Sequence, residues 1–169
     1  MTRIIIGAAN THYDGWISTN RDTLDLLRPD DWQKFAPVEM ALAEHVWEHL
    51  TPICGYTAAF NCARYVPRIR VATPDGLFPD AAYVARARLG ECPGDHLALY
   101  DYETLSDVFT AAGYEVTLLE WWDERGVFNY RPWDPSEGYI YRSLRFDERN
   151  RNGGLNYTSI ILDAWRGQA

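Results

Sequence analysis

The chain has 169 residues, 47% of them hydrophobic, enough for one well-formed core and too few for two comfortable domains, so a single domain spanning 1–169 is expected. Its formal net charge of -8 removes the general electrostatic pull toward phosphate backbones and anionic lipid, and no apolar run approaches the roughly 20 residues that cross a bilayer. Nucleic acid and membrane are therefore not expected as partners. Cys54, Cys62 and Cys92, an odd set without C-x-x-C spacing or a signal peptide, point to reduced thiols in a cytoplasmic setting.

The chain opens on Arg3-Ile4-Ile5-Ile6-Gly7, a β-branched run ended by glycine, which is the form of a fully buried parallel strand. Brief strands are predicted at 16–19 and 23–27, the second ended by Arg28-Pro29-Asp30-Asp31. Pro29 suits a first helical turn, so 30–35 is predicted as a short helix. A further strand over 38–43 leads into a helical stretch at 46–50. The spacing of Ala59, Phe60, Ala63 and Tyr65 predicts a helix over 56–65 that Pro67 ends, and alternation over 68–73 predicts a fifth strand. Helices follow over 80–89 and 102–113, the latter stopped by Gly113. Two strands, 115–122 and 157–165, close the chain. The segment 123–156 between them is long for a loop and rich in aromatic residues and arginine, the composition of a segment that binds or covers something.

Strands interleaved with helices, and then a strand pair without a helix between, predict an open α/β sheet in three layers. Ligands of such sheets sit at the carboxyl ends of the strands, here 7–10, 19–25, 44–49 and 73–76. One of these stretches, His45-Val46-Trp47-Glu48-His49, carries chemistry of its own. As a bare pattern it is H-x-x-E-H, the inverted zinc-protease signature. His45 and His49 would share a helix face with Glu48 as general base, and a third protein ligand would be required. Taken alone, His49 also reads as a polar residue on a helix surface.

In context the same residues point elsewhere. Ile4-Ile5-Ile6-Gly7-Ala8-Ala9-Asn10, the exit Glu44-His45-Val46-Trp47-Glu48-His49-Leu50 and the strand over 68–75 are similar, across nearly the whole chain, to class I S-adenosylmethionine-dependent methyltransferases. Asp14-Gly15-Trp16-Ile17, Leu24-Asp25-Leu26-Leu27-Arg28-Pro29-Asp30-Asp31-Trp32, Ala72-Thr73-Pro74-Asp75-Gly76 and Tyr100-Asp101-Tyr102-Glu103-Thr104-Leu105 resemble a compact bacterial group of predicted members, as does Phe128-Asn129-Tyr130-Arg131-Pro132-Trp133-Asp134. The resemblance implies a Rossmann-like three-layer α/β/α sandwich, with a mostly parallel sheet and an antiparallel C-terminal strand. It also implies S-adenosylmethionine as cofactor and no metal. Gly7, Ala8, Ala9 and Asn10 then form the loop that approaches the cofactor through backbone N–H groups. Asn20 stands where an acid usually meets the ribose hydroxyls, and Asp25 and Leu26 match the adenine position. Ala9 replaces the family's second glycine, the third is missing, and the Lys-Pro-Gly-Gly turn before the fifth strand has become Val66-Pro67-Arg68.

Methyl transfer needs alignment of an acceptor nucleophile and, for an alcohol or amine, removal of its proton. His45 is the first candidate for that base, since an imidazole titrates near neutrality; Glu44 and Asp75 follow. His96, Arg142 and Arg145 are candidates for holding a small-molecule acceptor of acidic or sugar-like character. A cleft without covering helices would be closed by 123–156 or by a second subunit, so a homodimer is weighed. Two other functions stay open: a binding or assembly module that kept the fold and lost the cofactor, and a zinc hydrolase using His45, Glu48 and His49.

Overall fold

The computed structural model describes residues 2–88 and 96–167. Cys92 and the end of the predicted helix at Leu89 lie outside the described residues. One sheet of seven strands organises the described residues: β1 (Thr2–Ile6), β2 (Trp16–Ser18), β3 (Val38–Glu44), β4 (Arg68–Pro74), β5 (Glu115–Trp122), β6 (Phe128–Tyr130) and β7 (Ser159–Trp165). Their spatial order is β2-β1-β3-β4-β7-β5-β6. β1 to β4 pair in parallel, and β7 enters antiparallel between β4 and β5. β5 therefore points the same way as β4, which leaves β6 and β7 as the two reversed strands. The sheet is mostly parallel with a reversed C-terminal strand, as expected for a Rossmann-like α/β fold. Strand β6 is an addition, a hairpin partner of β5 too short to leave an alternating pattern.

Among the described residues four α-helices accompany the sheet: α1 (Pro29–Gln33), α2 (Pro52–Tyr65), α3 (Ala81–Ala87) and α4 (Tyr102–Ala111). Helix α2 starts at Pro52, earlier than the predicted 56, because Thr51 caps it by accepting the N–H of Cys54 and Pro52 fits the first turn. Helix α4 carries a full capping box, Asp101 on the N–H of Thr104 and Thr104 on the N–H of Asp101. Replacing Asp101 by alanine is expected to lower stability by about 1 kcal/mol in urea titration, and an unchanged midpoint would contradict the role given to this cap.

Two predicted elements take other forms. Residues 23–27 make no strand: the N–H groups of Thr23 and Leu24 both turn back to the carbonyl of Asn20. Leu24 and Leu26 are apolar because they plug the core beside Trp32. Residues 46–50 are not α-helical either; Trp47–His49 form one 3-10 turn, so His45 and His49 do not share an α-helix face.

The two faces of the sheet are covered differently. On one, Ile4, Ile6, Ala41, Ala43, Ile69 and Val71 pack against α1, α2 and α4, with small residues meeting at Ala43, Ala58, Ala59 and Cys62. On the other, Leu42, Ala72, Leu119 and Ile161 meet Ile140 beneath Trp133, Tyr13 and Trp16. The third layer is thus built from the 3-10 turns Pro135–Glu137 and Glu148–Asn150 and the loops around them. Three charged side chains rising from the sheet pin it. Arg70 donates to the carbonyls of Asp134 and Gly138, Glu120 accepts from Leu144 N–H and the Trp133 indole, and Glu44 accepts from Tyr141 and Arg142 N–H. Loop carbonyls and amides that would otherwise be buried unpaired are satisfied in this way.

Candidate active site

At the carboxyl end of β1 the backbone turns sharply, with Gly7 at φ +60° and Ala9 at φ +47°. A Cβ on Gly7 would sit 2.7 Å from Val46 Cγ2, so glycine is required by approach as well as by conformation. Ala9 occupies the left-handed region despite its Cβ, a strained choice of the kind found at functional loops. Asn20 stabilises it: its Oδ1 accepts the Ala9 N–H at 2.8 Å and its Nδ2 reaches the Ala9 carbonyl at 3.4 Å.

Two cavities meet at this loop. The first, about 530 Å³, is mostly apolar; Leu24, Asp25, Leu26 and Leu27 form one side and Val46, Leu50 and Leu97 the other. The second, about 460 Å³, is polar, with Tyr13, Glu44, Glu48, His96, Tyr141 and Arg142 around it. Gly7, Ala9, His45 and His49 border both. Each lies in the size range of small-molecule sites.

His45 stands at φ +55°, a second left-handed non-glycine residue, just past the carboxyl end of β3. Its Nε2 lies 2.9 Å from the Ser159 hydroxyl and 3.5 Å from that of Tyr157, while its Nδ1 lies 3.2 Å from Glu48 Oε1. Close as it is, this last contact is not a hydrogen bond, and neither Glu48 oxygen has a hydrogen-bond partner although the residue is fully buried. Burial, and secondarily Arg142, hold His45 well below the usual imidazole range. Burial also pushes the Glu48 carboxyl up to about 8. At neutral pH both groups are uncharged, so the 3.2 Å contact joins a neutral imidazole and a neutral acid rather than an ion pair.

The remaining predicted residues separate. Gly7, Ala8, Ala9, Glu44, His45, His96 and Arg142 line the polar cavity, and Asp25 and Leu26 the apolar one. Asn20 is spent on the Ala9 backbone, exposed Asn10 lines neither cavity, and Arg145 lies over the Phe146 ring. Asp75 is fully buried and accepts the N–H groups of Leu77 and Trp122, which makes it a brace between β4 and β5. Glu44 also has a structural task, since burial raises it against the two loop N–H groups that favour its charged form. Arg21, inside the expected stretch 19–25, lines the apolar cavity, whereas Tyr13 and Tyr141 were not legible as lining residues, because each comes from a loop whose path only packing decides. Burial, then the Glu44 charge, pushes the Tyr13 hydroxyl up to about 12.

No family model and no curated protein matches the sequence. Solved structures do match. A SAM-dependent methyltransferase from Archaeoglobus fulgidus is similar over 98% of this chain and 86% of its own, with TM-score 0.52 at 12% identity. The small RNA methyltransferase HEN1 is similar over 90% of this chain and 17% of its own, with TM-score 0.53 at 16% identity. LepI, solved in complex with SAH and a substrate analogue, matches at TM-score 0.50 and 8% identity over 98% of this chain. This chain has the class I methyltransferase fold. It spans 36% of the length of LepI, and at these identities the likeness concerns the fold. Among the described residues no helix is long and apolar enough to cross a membrane.

Proposed function

We propose that this methyltransferase-fold chain transfers a methyl group from S-adenosylmethionine to a small acceptor of acidic or sugar-like character. The observation that carries the reading is the meeting of an apolar and a polar cavity at Gly7, Ala9 and His45, where this fold places its ligands. The residues fit the cofactor. Leu24 and Leu26 offer a flat apolar wall for a nucleobase; Asp25 holds the Leu27 N–H through Oδ1, which leaves Oδ2 for an exocyclic amine. When bound, the cofactor supplies an electrophilic methyl group. The chain's own part is to orient the acceptor in the polar cavity, with Arg142 pairing an acidic group. His45, neutral through burial, takes the acceptor's proton at Nε2, the atom that now meets Ser159.

Calorimetric titration with S-adenosylmethionine and S-adenosylhomocysteine is expected to show saturable one-to-one binding. Gly7→Ala is expected to weaken it about tenfold, since strain of about 1–2 kcal/mol falls on the loop that must approach the ligand. Silence at millimolar ligand would remove the reading. One observation favours a second reading, a binding module without cofactor: Asn20 occupies the Ala9 N–H, a donor the loop would otherwise offer a ligand. On that reading Asn20→Asp combined with Ala9→Gly creates no affinity.

A further inference from the structure

We propose that Glu48, His49 and His96 form a binding site for a divalent transition-metal ion at the wall of the polar cavity. The imidazole nitrogens and carboxylate oxygen concerned all lie within 4.8 Å of one another. A tetrahedral ion of zinc size, with ligands at about 2.1 Å, sets its ligand atoms about 3.4 Å apart, so binding draws the three side chains inward by about an ångström.

Several independent observations converge here. Glu48 is fully buried, yet neither carboxylate oxygen has a hydrogen-bond partner, an expensive arrangement that a cation would relieve. His96 is far from Glu48 in sequence and is held beside it by backbone bonds: the Glu48 carbonyl accepts the N–H groups of both Leu97 and Ala98, at 2.7 and 3.1 Å. The His96 ring is also oriented for ligation. Its Nδ1 meets the Ala87 carbonyl at 3.2 Å, and because a carbonyl only accepts, Nδ1 carries the proton and Nε2 keeps its lone pair. Metal-bound imidazoles usually show this support from a backbone carbonyl. His49 meets His96 edge to face with ring centroids 4.9 Å apart. His45 completes the surroundings, with Nδ1 3.2 Å from Glu48 Oε1.

The chemistry of the donors selects the ion. Two imidazoles and one carboxylate suit zinc, iron, manganese or cobalt, whereas magnesium and calcium prefer all-oxygen shells. Three protein ligands leave at least one position open toward the cavity, where an acceptor hydroxyl or carboxylate would coordinate. The ion site stands without the methyl-transfer reading; only its use in holding an acceptor rests on it.

The test is titration of the chelator-stripped protein with Zn²⁺ by calorimetry and with Co²⁺ by visible absorption, both without cofactor. Expected are one ion per chain, a ligand-field spectrum with cobalt, and no comparable binding of Mg²⁺. Glu48→Gln and His96→Ala are each expected to weaken Zn²⁺ at least tenfold, while His12→Ala, which lies outside the cluster, leaves it unchanged. Circular dichroism checks folding, and if His96→Ala does not fold, Glu48→Gln, which keeps the size of the side chain and removes only its capacity to become a carboxylate ligand, decides. Absence of stoichiometric binding by the unmodified chain, or unchanged affinity in Glu48→Gln, overturns the proposal. Zinc binding by a protein that is silent to S-adenosylhomocysteine would leave the metal site standing and remove the cofactor.

Discussion

Replacing Arg70 by alanine is expected to lower the unfolding free energy by about 3–5 kcal/mol, the cost of breaking a buried ion pair from one side. The Arg70 side chain is 1% exposed, and its Nε and Nη2 form a fork on the two oxygens of Asp163 at 2.7 and 2.8 Å. Nη1 donates to the carbonyls of Asp134 and Gly138, and the guanidinium lies 4.8 Å from the centre of the Trp133 ring. Removal strands a carboxylate and two carbonyls at once and frees one anchor of the third layer. Arg70→Lys is expected to recover less than half, because an ammonium cannot reproduce the planar fork or the stacking. Urea denaturation measures the loss, and limited proteolysis should show 131–150 becoming cleavable first. A loss below about 1 kcal/mol would mean that Glu120 and Glu44 hold the cover without Arg70.

Asp75 should leave a signature in the pH dependence of stability. Burial pushes its carboxyl from an ordinary 3.8 up to about 6, against the two backbone N–H groups that favour the charged form. The folded state therefore binds the proton more tightly than the unfolded state. Below about pH 3 the group is protonated in both states and carries no penalty. As pH rises from about 4 to about 6, the unfolded chain ionises first and stability falls. Above about 6 the full penalty is present, on the order of 3 kcal/mol at 1.36 kcal/mol per pH unit. Asp75→Asn removes this slope, so the stability difference between the unmodified chain and the variant should change by most of that amount between pH 4 and pH 7. Denaturant titrations at the two pH values measure it, and an equal offset at both would refute the assignment.

Both predictions concern residues whose roles the sequence does not announce. Asp75 looks like a strand-end acid available to a substrate, and Arg70 like one more residue of an alternating strand. Only the pairing of β4 with β7, and the crossing of the 131–150 segment over it, turn Arg70 into an anchor and Asp75 into a brace. These contacts join residues far apart in the chain, and no local pattern encodes them. Glu44 shows the same effect: its place beside the cavity follows from strand-end logic, and its bonds to Tyr141 and Arg142 do not.

By itself the sequence determined six of the seven strands and the four α-helices in their order, the glycine turn after β1, the position of His45 at the end of β3 and the class of fold. Each rests on near-neighbour physics: β-branched runs, caps, prolines, and the need for glycine where a Cβ would meet Val46. Tertiary structure alone decided that 23–27 plugs the core instead of pairing, that 46–50 is a 3-10 turn, and that the aromatic segment is a pinned layer. It also decided that Glu48, His49 and His96 converge. The spacing H-x-x-E-H suggested a metal pair on one helix and lacked a third ligand. The Glu48 carbonyl, by binding the backbone after His96, instead sets a different trio together, Glu48, His49 and His96, with His45 beside it and not in it.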